Sequence, residues 1–280
     1  LFRSDIDKIF SKQGFDNKDG DSEIESVIKD KTKKYKDDWG IFDGYVFEYV
    51  KSKLQNAKTP QFVMIMTTTN HPPYVVEPDY KPKPLNIPSV LQKRIMGAKE
   101  LVNARFVAYQ YANEKTGEFL SGIKNSELKE KTIVAITGDH NFGGVINFSN
   151  EEHLKFRGVP FYIYAPKELR PKNYDREAFG SHKDIMPTLY ALSLSNISHV
   201  SIGKNMFDGS LEHYSFNASG FVASKDGAVL HAKPSVYFKW DGDLLKNDEN
   251  SEKYKKIVDY YKATLSVTEY FVQSHLKKEE

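Results

Sequence analysis

Short apolar runs alternate with longer amphipathic stretches over the first two thirds of the chain. Runs rich in β-branched and aromatic residues predict three buried strands, at Phe62–Met66, Thr132–Ile136 and Pro160–Pro166. Apolar residues at helical spacing predict helices within Tyr45–Gln55, Pro88–Ile123 and Asp184–Tyr190. Strands that alternate with helices in this way predict an α/β fold built on a doubly wound sheet.

The pattern changes after about Asp208. Short apolar runs at Phe216–Val222 and Val229–Trp240 flank the turn signal Asp226-Gly227, which predicts a small antiparallel appendage. An amphipathic helix follows from Tyr254 and ends at the charged segment 277–280. We therefore predict a polar lead-in at 1–38, an α/β core at 39–210, and a hairpin region with a terminal helix packed on the core at 211–280.

Composition narrows the class of protein. The 280 residues carry a formal charge of +2 and no cysteine, which excludes disulfides and thiolate metal sites and gives no reason to expect nucleic-acid binding. No apolar stretch approaches about 20 residues, so this chain is expected to be soluble. It begins at Leu1 rather than methionine, from which we expect a processed product or a fragment.

Polar residues follow each predicted strand. His71, the pair Asp139-His140, and His182 lie where the carboxyl ends of parallel strands would meet in one crevice. An isolated Gly-Asp-His segment is more often a structural turn, but three histidines and a carboxylate together suit a divalent metal and an anionic substrate. The remaining histidines considered are expected to be surface or packing residues: His153, His199, His213 and His231.

Four segments in order resemble one known family. The segments Trp39-Gly-Ile-Phe-Asp43, Asn70-His-Pro-Pro-Tyr74, Gly138-Asp-His140 and Asp184-Ile-Met-Pro-Thr-Leu189 resemble the sulfatase-like branch of the alkaline phosphatase superfamily. The similarity is to lipoteichoic acid synthase-like phosphoglycerol transferases and phosphoethanolamine transferases, and it extends to Gly203–Phe207. The resemblance implies an alkaline phosphatase-like mixed sheet flanked by helices.

The resemblance also assigns roles. Asp139 and His140 would be metal ligands, and His71 would contact the substrate phosphate or leaving group. His182 would be either a third metal ligand or a phosphate-contacting catalytic residue. Trp39 would line a headgroup pocket, with a buried helix-entry role as the alternative. Arg157 would meet the anionic substrate, with a surface salt bridge as the alternative.

The implied activity is metal-dependent transfer of phosphoglycerol or phosphoethanolamine onto cell-envelope lipids or glycans, with Mn²⁺ or Zn²⁺ expected and Mg²⁺ or Ca²⁺ as alternatives. A sulfatase or phosphodiesterase is the second reading, and an inactive fragment that binds a polyanion or a partner is the third. The family's nucleophile and its first acidic ligand lie upstream of the Trp-Gly segment, and residues 1–38 offer no match. We therefore expect a C-terminal portion, inactive alone, of an extracytoplasmic enzyme whose membrane anchor lies outside this chain. The sequence does not indicate the oligomeric state.

Overall fold

The computed structural model describes residues 10–141, 143–195 and 197–276. Three sequence features fall wholly or partly outside these residues: Phe142 of the Gly-Asp-His segment, the first nine residues of the lead-in, and the charged end at 277–280. The chain divides into two compact units, Leu1–Thr132 with Gly144–Asn147, and Ile133–Gly143 with Phe148–Glu280. Each unit is considered by itself.

The first unit is helical in its described part. Its helices are α1 (Asp21–Val27), α2 (Asp43–Asn56), α3 (Ser89–Gln92) and α4 (Lys99–Lys124). Helices α2 and α4 pack through their apolar faces, where the rings of Phe47 and Phe119 stack with centroids 5.0 Å apart. The helical pattern predicted from Pro88 to Ile123 thus forms two helices, α3 and α4.

The segment Phe62–Met66 is not a buried strand, contrary to the sequence prediction. It lies between α2 and α3, belongs to neither sheet of the described residues, and exposes the side chains of Phe62, Met64 and Met66. A strand is stable only when its backbone groups pair with a neighbour, and the described part of the first unit contains no strand that could pair with it.

The described part of the second unit holds two sheets. Strands β1 (Val134–Thr137) and β2 (Phe161–Tyr164) form a two-stranded sheet, with Val134 opposite Tyr164 and Thr137 opposite Phe161. The pairing is antiparallel and β1 is half-buried, so the prediction of a fully buried strand in a parallel sheet was wrong. The end of β1 therefore lies beside the start of β2, at one end of this sheet.

The other sheet is an antiparallel meander of five strands, in the order of the chain. Its strands are β3 (Ser215–Phe216), β4 (Phe221–Ser224), β5 (Gly227–Leu230), β6 (Val236–Asp241) and β7 (Leu244–Asp248). The predicted turn joins β4 to β5, where Ser224 pairs with Gly227 across a two-residue loop. The antiparallel appendage predicted from the sequence is therefore confirmed.

Among its described residues, the second unit also contains the α-helices α5 (His153–Arg157), α6 (Ile185–Ser193) and α7 (Lys255–Leu276). The first turns of α7 cover one face of the meander, because alternate strand residues and helix residues at 3.6 spacing meet there. The buried cluster consists of Tyr214, Val222, Val229, Tyr254, Ile257 and Tyr261. The terminal helix predicted from this amphipathic pattern is confirmed.

Candidate functional site

Trp39 lies in a tight loop that Asp37 organises. The Oδ1 atom of Asp37 accepts hydrogen bonds from the backbone N–H of Trp39 at 2.7 Å and of Gly40 at 3.2 Å. Gly40 has φ = +145°, a conformation that other residues rarely adopt, so glycine is required where the loop enters α2. The indole is half-buried, and neither expected role of Trp39 is tested by its exposure alone.

The imidazole of His71 lies against this indole. The two ring centroids are 3.8 Å apart with an interplanar angle of 42°, and His71 is exposed. Its Nδ1 atom lies 3.0 Å from the carbonyl oxygen of Pro72. A carbonyl only accepts, so Nδ1 carries the proton and Nε2 is the nitrogen directed to other chemistry. The backbone N–H of Tyr74 donates to the carbonyl oxygen of His71 at 2.8 Å, which closes the turn after His71.

Asp139 and His140 follow β1 directly and are both strongly exposed. Asp139 Oδ1 accepts the backbone N–H of His140 at 2.8 Å, which fixes the carboxylate beside the ring. His140 Nδ1 lies 3.1 Å from the carbonyl oxygen of Asn141, so Nδ1 is the protonated nitrogen of the neutral ring. The lone pair of Nε2 then faces Asp139 Oδ2 across 3.5 Å. Two acceptors at this separation favour a cation or a proton between them.

His182 lies beside this pair. Its Nε2 atom is 2.8 Å from the carbonyl oxygen of Gly138, the residue before Asp139. The Nε2–H donates to this carbonyl oxygen, so Nδ1 is unprotonated in the neutral ring, an arrangement common for histidines that bind metals. The sequence prediction brought these residues together at the carboxyl ends of parallel strands. Because β1 and β2 are antiparallel, that prediction does not explain the contact. Instead, the loop after β2 brings His182 back to the residue that follows β1, Gly138.

Asp184 and Thr188 anchor the segment that carries His182. Buried Asp184 accepts the backbone N–H of Ser181 at 2.8 Å and of Lys204 at 2.8 Å. Thr188 donates to the Asp184 carbonyl at 2.6 Å and accepts the Met206 N–H at 2.9 Å. The two segments that carry the family resemblance here, 184–189 and 203–207, are therefore joined by hydrogen bonds next to His182.

The donor set of the second unit fits a divalent metal in part. Carboxylate and imidazole suit Zn²⁺ or Mn²⁺, and two ligands of a tetrahedral zinc ion lie about 3.3 Å apart, close to the separation of Asp139 Oδ2 and His140 Nε2. Among the described residues, no group of three or more His, Cys, Asp or Glu side chains is placed to hold a metal ion. The described residues thus bring together two side chains of suitable chemistry, Asp139 and His140, rather than a full coordination shell.

Arg157 was expected to meet the anionic substrate or, as the alternative, to form a surface salt bridge. It is half-buried on α5, and its guanidinium lies over the rings of Phe156 and Phe221 at 5.3 and 5.1 Å. No carboxylate of the described residues forms an ion pair with it, so the alternative of a surface salt bridge is not what this region shows. Its N–H instead donates to Nδ1 of His153 at 3.0 Å.

His153 was expected to pack, and it does pack against Phe221 and Phe238, with ring centroids 5.7 and 4.9 Å away. Its contact with Arg157 was missed. Burial, followed by the charge of Arg157, lowers the pKa of His153, which favours the neutral acceptor form. The four-residue spacing of His153 and Arg157 on one helix was the available signal.

Asp43 was also missed as a site residue, although it ends the Trp39 segment. It is fully buried at the start of α2 and bonds to the segment before His71. Burial raises its pKa, and hydrogen bonds from Thr69 and Thr68 oppose that rise. An acid at a helix start is usually taken as a capping residue, which hides any other role in the sequence.

The comparisons with known proteins agree with the motifs. The family model named Sulfatase matches residues 3–193. The chain is 25% identical over 270 residues to lipoteichoic acid synthase 1 of Bacillus subtilis and 22% identical over 233 residues to the lipoteichoic acid synthase-like protein YvgJ of the same bacterium. These alignments cover 90% and 78% of this chain but only 37% and 36% of the relatives.

Two solved structures share the fold. The lipoteichoic acid synthase LtaP of Listeria monocytogenes superposes with a TM-score of 0.70 at 19% identity, covering 95% of this chain and 66% of that one. An alkaline phosphatase superfamily protein of Vibrio parahaemolyticus gives a TM-score of 0.64 at 18% identity, covering 86% and 58%. The chain therefore spans little more than a third of its curated relatives and less than two thirds of these solved chains.

The predicted site residues divide between the two units. Trp39 and His71 belong to the first, whereas Asp139, His140 and His182 belong to the second. Their convergence on one substrate stays a prediction. Within the described residues, no helix is both long and apolar enough to cross a membrane.

Proposed function

Because the chain belongs to the sulfatase family of the alkaline phosphatase superfamily, we propose that it is part of a metal-dependent phosphoglycerol or phosphoethanolamine transferase. The enzyme acts on anionic headgroups of cell-envelope lipids or glycans, outside the cytoplasm. Two similar proteins, from Bacillus subtilis and Listeria monocytogenes, are named lipoteichoic acid synthases, which supports this substrate class.

The observation that carries the proposal is the Asp139–His140 pair. Its carboxylate oxygen and its unprotonated imidazole nitrogen lie 3.5 Å apart, at an exposed position that only Gly138 separates from β1. A bound divalent ion would activate a hydroxyl nucleophile and neutralise charge on the phosphoryl oxygens. Mn²⁺ or Zn²⁺ suits the two side chains best.

The other residues bind and orient the substrate in this proposal. His71 donates or accepts through Nε2 at the leaving oxygen, and Trp39 limits the orientation of the imidazole by contact with its face. His182 supplies Nδ1 as a further metal ligand or phosphate contact. Arg157 meets the anionic group, because its guanidinium has aromatic and neutral imidazole neighbours but no described carboxylate partner.

We further propose that this chain forms the C-terminal portion of the active enzyme and is inactive alone. The partial ligand set and the exposed Phe62–Met66 segment support that view, as does the share of the relatives that the chain covers. The nucleophile, a further acidic ligand and any membrane anchor would then come from other parts of the full-length protein. A sulfatase or phosphodiesterase on the same scaffold would share every residue discussed above.

Calorimetric titration of the full-length protein with Mn²⁺ and Zn²⁺ tests the metal pair. We expect Asp139→Asn and His140→Gln each to weaken binding at least about a hundredfold, since each removes a ligand. Binding should also release protons, seen as a dependence of the measured heat on the buffer.

His199→Gln is the matched control, because His199 lies in the same unit and packs on the ring of Tyr190 at 4.8 Å. It should leave metal affinity unchanged. Absence of binding by the full-length protein, or affinity that neither Asp139→Asn nor His140→Gln alters, would contradict the proposal. Transfer of a radiolabelled phosphoglycerol group to a lipid acceptor, measured against release to water, then separates transferase from hydrolase.

A further inference from the structure

The Trp39–His71 contact requires support, because His71 is exposed and lies in a loop without regular secondary structure. Such a ring holds one orientation only if its backbone is fixed from behind. The nearest fixed point in the chain is the pair Thr68-Thr69, since the backbone N–H of His71 donates to the carbonyl of Thr68 at 3.0 Å.

Asp43 binds this pair with one carboxylate oxygen. Its Oδ1 atom accepts the backbone N–H of Thr68 at 3.1 Å, the backbone N–H of Thr69 at 3.1 Å, and the Thr69 hydroxyl at 2.8 Å. The backbone N–H of Asp43 in turn lies 3.0 Å from the Thr69 hydroxyl oxygen. Successive N–H groups that converge in this way form a cradle for an acceptor.

The same carboxylate is adjacent in sequence to the loop that presents Trp39. Asp43 is the first residue of α2, and the hydrogen bonds that its side chain accepts come from Thr68 and Thr69 rather than from its own helix. The hydroxyl of Thr68 lies 3.4 Å from the carbonyl oxygen of Ile41, which adds a second link between the two segments. Trp39 and His71 are thus brought together by a hydrogen-bonded junction centred on Asp43.

We propose that Asp43 is a positioning residue that sets the orientation of His71 against Trp39, and so prepares His71 for the substrate contact assigned above. The inference rests on the proposed function for its catalytic meaning, but the geometry that it predicts can be measured independently. Asp43 acts through the Thr68-Thr69 backbone and does not itself touch substrate.

The second carboxylate oxygen of Asp43 indicates that this residue positions the loop rather than simply fills the core. Asp43 is fully buried, and Oδ2 has no hydrogen-bond partner among the described residues. A buried polar atom without a partner destabilises a fold, so stability alone would favour an apolar side chain here. Burial also raises the pKa of Asp43, which favours the neutral acid, and an asparagine should therefore replace its acceptor function.

Nuclear magnetic resonance of the chain tests the positioning directly. The protein has two tryptophans, so in a Trp240→Phe background every indole signal belongs to Trp39. We expect a nuclear Overhauser contact between the Trp39 indole and the His71 ring. Asp43→Ala should abolish this contact and move the indole resonances, whereas Asp43→Asn should preserve both.

Val50→Ala is the matched structural control, because Val50 is buried in the same helix and makes no bond to the loop. It should lower stability and leave the indole contact intact. Should Asp43→Ala fail to fold, Thr69→Val removes one hydroxyl from the junction and Thr69→Ser restores it. An unchanged contact in the folded Asp43→Ala or Thr69→Val variant, or equal loss in Val50→Ala, would overturn the proposal.

Activity supplies the second measurement. In the full-length enzyme, Asp43→Ala should lower kcat at least about tenfold with a smaller change in KM, and Asp43→Asn should restore kcat. Loss of the indole contact in an enzyme without transferase or hydrolase activity would support the positioning role and contradict the proposed function. Loss of activity in Asp43→Ala with an unchanged contact between Trp39 and His71 would support the proposed function and contradict the positioning role.

Discussion

Burial separates the two carboxylates that matter most in this chain. Asp139 has 88% of its side chain exposed, which suits a group that must exchange a proton or water for a cation. Asp43 is completely buried, and its Oδ1 atom accepts hydrogen bonds from two backbone N–H groups and one hydroxyl group. The same type of side chain thus has opposite settings, which fit the metal-binding role proposed for Asp139 and the positioning role proposed for Asp43.

The His153–Arg157 contact predicts a pH dependence. Burial and the nearby guanidinium lower the pKa of His153 below its ordinary value of 6.5, so the unfolded chain binds more protons than the folded chain just below that pH. The contribution of His153 to stability is thus full above pH 6.5 and is lost as the pH falls towards its folded-state pKa.

We expect His153→Gln to reduce this loss, since the glutamine carbonyl still accepts from Arg157 but does not titrate. Thermal unfolding of both proteins from about pH 7.5 to 5 measures the effect. The melting temperature of the variant relative to the wild type should rise as the pH falls, and His199→Gln provides the comparison for a histidine outside the contact. A difference in melting temperature between His153→Gln and the wild type that stays constant over this pH range would contradict the proposed titration of His153.

At the scale of elements, the segment Gly203–Phe207 is fixed against the turn that carries His182. A Cβ atom at Gly203 would lie 1.8 Å from the carbonyl oxygen of Lys183, which is far inside contact distance. Only glycine fits, because the backbone of one segment meets the backbone of the other.

Gly203→Ala should therefore destabilise the second unit by about 3 kcal/mol and shift the imidazole resonances of His182. Chemical denaturation gives the first value and histidine-labelled spectra give the second. Gly209→Ala is the matched control, since a Cβ there would meet nothing within 4 Å. Equal stability of the two variants would show that the segment adapts more readily than its geometry indicates.

The sequence predicted element types better than their pairing. Periodicity located α2, α4 and α7, because each buries one apolar face. It did not determine the direction of β1 against β2, since a short apolar run has the same pattern in either orientation. The polar residues after predicted strands and the family resemblance both indicated Asp139, His140 and His182, whereas Asp43 was missed because its partners are 25 and 26 residues away along the chain.

The chain spans only part of the proteins that share its fold. The matched solved structure of LtaP is longer, with 66% of its chain covered. A strand-like segment cannot reveal from its own residues whether its neighbour is present. Phe62–Met66 illustrates the point: its composition predicted a buried strand, and the described structure leaves it unpaired and exposed.

If the chain is one part of a longer enzyme, this segment should be covered in the full-length protein. Met64 and Met66 are 55% and 44% exposed in the present structure, and Met96 is 41% exposed in the same unit. Peroxide converts accessible methionine to its sulfoxide, so mass spectrometry can follow each position. We expect oxidation of Met64 to slow at least about fivefold in the full-length protein, relative to Met96 as the internal control. Oxidation of Met66 should also slow, because a paired strand buried on both faces protects neighbouring positions together. Equal oxidation rates in this chain and in the full-length protein would contradict the proposal that another segment pairs with Phe62–Met66.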